Sequence, residues 1–95
     1  MSDFQKIINI IKTVRNKIVN DTDVVWAGCN SATDLQVEID NDLDKLEKGD
    51  LTILDKFKHR FLPTATFQEV SLSNGWGDEF IELANKFDEL YEKIK

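Results

Sequence analysis

Residues 74–95 read NGWGDEFIELANKFDELYEKIK. Within them Trp76, Phe80, Leu83, Phe87, Leu90 and Ile94 recur at alternating spacings of four and three. That rhythm places six apolar side chains on one narrow stripe of an α-helix. So long a stripe is not stable in water, and other segments of the chain have to supply the surface that faces it. Upstream lies FLPTATFQEVSLSNGWG, residues 61–77, which holds the only proline and two of the four glycines.

Three other segments carry matching stripes. Phe4, Ile7, Ile8, Ile11, Val14 and Ile18, widened by Ile10, predict a first helix over residues 3–19, capped by Ser2 or Asp3. Lys6, Lys12, Arg15 and Lys17 give it a basic outer side. Its β-branched residues lower helix propensity, so it depends on tertiary packing. Leu35, Ile39, Leu43 and Leu46 predict a second helix over 33–48, with Thr33 and Gln36 as a capping box and Gly49 as the terminating glycine. Leu51, Leu54, Phe57 and Phe61 predict a third over 51–61, capped by Asp50 and stopped by Pro63, with Lys56, Lys58, His59 and Arg60 complementing its C-terminal dipole. The last helix spans 77–94, with Asp78 or its neighbour as cap.

Residues 66–73 have two readings. Thr66 to Glu69 fits a capping box opening a short helix that Asn74-Gly75 ends, while Gln68, Val70 and Leu72 alternate with polar residues as in a strand. The helix is preferred, since only Val24–Trp26 offers a strand to pair with. Trp26, beside Gly28 and Cys29, either anchors a partner or fills the core. The pattern as a whole predicts an all-α fold, a small irregular four-helix bundle in one domain, residues 1–95.

Composition narrows the function. Cys29 is the only cysteine, so no intrachain disulfide forms. A lone thiol without an export signal ahead of it points to the cytoplasm. No apolar run approaches a membrane span. Of the formal charge of −6, residues 21–50 carry −7, with nine acids against Lys45 and Lys48, and the other 65 residues carry +1. Such a region repels nucleic acid and membranes and attracts cationic surfaces.

The helical period divides these acids between two flanks of the second helix. Asp34, Glu38 and Asp42 form one row, and Asp40, Asp44 and Glu47 the other. Like charges at this spacing destabilise a helix mildly. The rows are therefore read either as a solvated face or as the docking surface for a cationic protein partner. Reversing Asp34, Glu38 and Asp42 to lysine is then expected to leave the melting temperature unchanged or slightly higher, and to slow association with such a partner. Asp40-Asn41-Asp42-Leu43-Asp44 does not make a calcium loop, because Lys45 stands where glycine is required and Leu51 where a bidentate glutamate belongs. Gly75 and Gly77 do not make a phosphate loop, because Asp78 and Glu79 follow them and no lysine does. They are read as a sharp turn that drives Trp76 inward, so that Trp76→Ala costs about 3–5 kcal/mol. His59 has no nucleophile or carboxylate linked to it by spacing, so no catalytic site, cofactor or metal is expected.

Leu62-Pro63-Thr64, Phe67 to Leu72 and Asn74 to Phe80 resemble small acidic bacterial immunity proteins of polymorphic-toxin systems, of the contact-dependent and Rhs types. The resemblance covers Phe61–Phe87. It implies a non-catalytic protein that binds and neutralises one toxin. The alternative from composition alone is a structural or adaptor module, or a nucleic-acid mimic, that binds a basic protein. The sequence sets no oligomeric state.

Overall fold

The computed structural model describes residues 2–24, 31–62 and 65–94. Five helices form: α1 (Asp3–Lys17), α2 (Ala32–Glu47), α3 (Thr52–Arg60), α4 (Thr66–Ser73) and α5 (Gly77–Ile94), with no strand among the described residues. The fold is a small all-α bundle. α1 and α5 make the largest pair; α2 packs on α1, α3 joins α2 to α5, and α4 lies against α3 and α5. Lys17, at the end of α1, pairs with Glu79 at the start of α5, so these two helices run antiparallel.

The helix ends follow from local chemistry. Ser2 accepts the Gln5 N–H at 3.1 Å and opens α1. α1 stops at Lys17, two residues before the sequence pattern suggests, because Ile18 turns to extended backbone while its side chain stays buried. The Ile18 carbonyl is taken by Gln36 Nε2 at 2.7 Å and Arg15 Nη1 at 3.2 Å, and Val19 is exposed. α2 is capped by Ser31, which accepts the Asp34 N–H at 3.0 Å, and not by the Thr33–Gln36 box. At its other end Gly49, at φ 100°, sends its N–H to the Leu46 carbonyl, and Asp50 sends its own to that of Lys45. This double closure needs a left-handed residue, which glycine supplies without strain. Asp50 Oδ1 then accepts from the Thr52 N–H at 3.1 Å and steadies the start of α3.

Residues 66–73 are helical. Phe67, Val70 and Ser71 are the buried positions, at helical spacing, and Leu72, which a strand would have placed beside Val70, is 60% exposed. No capping box forms there; Ala65 is the cap residue and makes no side-chain bond. Gly75, at φ 83°, ends α4 in the manner of Gly49, with the Trp76 N–H on the Ser71 carbonyl at 2.9 Å. Gly77 is the first residue of α5, and Asp78 lies in its first turn, where it suits the helix dipole without acting as the cap.

The core is built from the predicted stripes, with changes at α3. Leu51 is exposed, and Ile53 packs on the core in its place. Phe61 is the aromatic hub: it stacks on Phe87 at 4.3 Å and Phe80 at 6.0 Å and meets Phe67 edge-on at 5.0 Å between ring centroids. Trp76 packs half-buried at the margin, with Lys17 Nζ 5.6 Å from its ring centre. The readings of Trp26, Gly28, Cys29 and Pro63 lie outside the described residues.

A strap, residues 18–24, follows α1. After α1, Thr22 is buried, its hydroxyl accepting the Val19 N–H at 2.8 Å. The Asn74 amide then grips the backbone of Asp23 through two bonds of 2.9 Å and bonds the Val70 carbonyl at 2.8 Å. A single side chain thus ties the strap to the α4–α5 turn.

Candidate functional site

The six acids of α2 have surroundings that the helical period does not reveal. On one flank, α3 brings Arg60 and Lys56 beneath the row. Arg60 Nη2 donates to Glu38 Oε1 at 2.7 Å and to Asp42 Oδ2 at 2.6 Å, and Lys56 Nζ lies 3.1 Å from Asp42 Oδ2. Asp42 is 3% exposed and Arg60 5%, and the guanidinium lies 4.9 Å from the centre of the Phe57 ring. On the other flank α1 supplies the cations. Arg15 forks onto both carboxylate oxygens of Asp40 at 2.7 and 3.0 Å, and Lys12 reaches Glu47 at 3.0 Å. Asp44 pairs one turn along its own helix, with Lys48 at 2.9 Å.

This corrects the sequence reading in two respects. Asp42 is not presented to a partner; it is the inner end of a buried ion pair. Arg60 does not merely complement a helix dipole at the surface, because it points inward and holds α3 against α2. Of the six residues, only Asp34 has a carboxylate without an ion-pair partner among the described residues. The repulsion within each row is offset by cations from a neighbouring helix. A signal was present: Lys56 and Arg60 are spaced i, i+4, like Glu38 and Asp42.

The consequence for the charge-reversal variant is direct. Asp34→Lys alone is expected to leave the melting temperature unchanged within a few degrees. The triple reversal, which replaces both carboxylates facing Arg60 and Lys56 with cations, is expected to lower it sharply.

Burial disfavours the charged form of Asp42, but the hydrogen bonds from Arg60 and Lys56 outweigh it and hold the pKa below the ordinary carboxylate value. A lowered folded pKa gives stability that is fully present above the unfolded value of about 4 and is lost as pH falls through the folded one. Acid titration of unfolding is expected to show this loss in the wild type. Asp42→Asn should be less stable at neutral pH and should have a flatter acid limb; parallel limbs in the two proteins would count against the linkage.

The remaining chemistry is sparse. His59 is exposed on α3. Tyr91 donates to Asp55 at 2.6 Å, and this bond raises the pKa of the phenol above its ordinary value. Among the described residues no group of three or more His, Cys, Asp or Glu is placed to hold a metal ion, and no helix is long and apolar enough to cross a membrane. Comparison with protein-family models, curated proteins and solved structures finds no match.

Proposed function

We propose that the chain is a non-catalytic inhibitory protein of the cytoplasm that neutralises a cognate bacterial toxin by covering a cationic surface of it. The observation that carries this reading is the distribution of charge. The fold engages Lys12, Arg15, Lys17, Lys56, Lys58 and Arg60 with its own acids, and the surplus of the −6 chain falls on exposed carboxylates such as Asp21, Asp34, Asp78 and Glu82. A surface of that kind attracts a basic partner and repels nucleic acid. The resemblance over Phe61–Phe87 supplies the partner's class, a toxin domain.

The test is co-expression with the toxin domain encoded beside this chain. Growth should be arrested by the toxin alone and restored when the chain is present. Persistent arrest with abundant folded chain would refute neutralisation. Co-purification of a basic protein where no toxin is encoded would favour the adaptor reading.

A further inference from the structure

The face between α4 and α5 is acidic and apolar at once. Leu72 is 60% exposed and Ile81 54%, and both stand on this face. A Cβ built on Gly77 would lie 2.9 Å from Leu72 Cδ2, so Leu72 rests directly on the first turn of α5. Ile81 follows Gly77 by four residues and occupies the same side of the helix. One turn before Leu72 on α4, Gln68 shares with Ile81 a shallow hollow floored by Phe61 and Phe80 and closed by Ala84, Asn85 and Asp88. A second hollow, beyond Leu72, is bounded by Gly75, Trp76, Gly77, Asp78 and Glu79. The two exposed aliphatic residues thus form a short ridge between two depressions.

The charge around this ridge is mainly acidic. Asp78 is exposed at the edge of the second hollow, and Glu69 is half-buried on α4. The Asn74 clamp brings the strap bearing Asp21 and Asp23 to the same turn. Lys17, over the Trp76 ring, and Lys58, beside the first hollow, are engaged by Glu79 and Asp88. The other flank of α5 differs: its groove against α1 is lined by Lys6, Lys86 and Lys93, with Glu89 among them.

We infer that the α4–α5 face is the docking surface, and that its occupant is a cationic, amphipathic segment of the partner protein whose apolar side chain seats against Leu72 and Ile81. The inference rests on the inhibitory reading above and places its interface on the α4–α5 face, away from the internally paired acids of α2. Apolar anchors within a charged rim supply most of the energy of such contacts, and the rim sets the encounter rate. A second copy of the chain does not fit, since two such faces would set acids against acids.

The full chain is titrated with a synthetic helical peptide of lysine and leucine and followed by 15N–1H correlation spectra at low salt. Shifts should concentrate at residues 68–85. Leu72→Ser combined with Ile81→Ser should weaken binding by about tenfold or more with helicity retained. Asp78→Lys, at an exposed site bounding the second hollow, should weaken it less and reduce its salt dependence. A peptide of glutamate and leucine should not bind there. Shifts centred on α2 or on the groove lined by Lys6, Lys86 and Lys93 would overturn the assignment. So would unchanged affinity in the double variant, or a dimer of the chain that this variant dissolves. The same variants in the co-expression assay separate the two ideas. Rescue by both wild type and double variant removes this surface but leaves the inhibitory reading standing. No rescue by wild type, with peptide binding confined to this face, removes the inhibitory reading and keeps the surface.

Discussion

Asp42→Ala is expected to destabilise the protein by about 3–5 kcal/mol, because it leaves a buried guanidinium without its closest counter-charge. Stability in a domain of this size is about 5–15 kcal/mol, so the variant should be partly unfolded or close to it at moderate temperature. The geometry behind the figure is specific. Arg60 is 5% exposed, its Nη1 has no partner among the described residues, and its Nη2 divides between Asp42 and the more exposed Glu38. Glu38 limits the damage only in part, since its own carboxylate stands largely in water. Urea denaturation of wild type and variant measures the effect. A second variant isolates the cause: Asp42→Leu with Arg60→Met removes both charges and should recover most of the loss, because a buried pair replaced by apolar groups is often neutral. Equal instability in the single and double variants would show that packing, and not the unpaired charge, sets the cost.

Phe61→Ala is expected to cost about 3–5 kcal/mol as well, through the cavity it leaves. Phe61 is 4% exposed and touches three other rings, from α4 and from two turns of α5. It stands just past the end of α3, so its loss frees the junction of three helices. Trp76→Ala is expected to cost less than the 3–5 kcal/mol that the sequence pattern suggests for a buried tryptophan, about 1–3 kcal/mol, because the ring is only half-buried. Its indole N–H is buried without a partner among the described residues, so Trp76→Phe should be nearly neutral. Thermal unfolding of the three variants tests the order. If Trp76→Ala proved as damaging as Phe61→Ala, the turn before α5 and not the aromatic hub would be the keystone.

The stripes of α1, α2 and α5, the closing glycine at Gly49 and the all-α class were all legible in the sequence. Each depends on residues within one or two turns of each other, and the helical period alone decides which of them face inward. The tertiary structure decided the rest. α1 ends at Lys17 because Gln36, 18 residues further on, takes the Ile18 carbonyl. Residues 66–73 become helix because Phe67 and Val70 find a core, and no strand forms among the described residues. The acids of α2 are the sharpest case. Their spacing showed two charged rows but not what faced them, and the cations that do so, Arg15, Lys56 and Arg60, come from other helices. Periodicity encodes which side of a helix is buried. It does not encode which distant side chain meets it there, because that pairing exists only once the helices have packed.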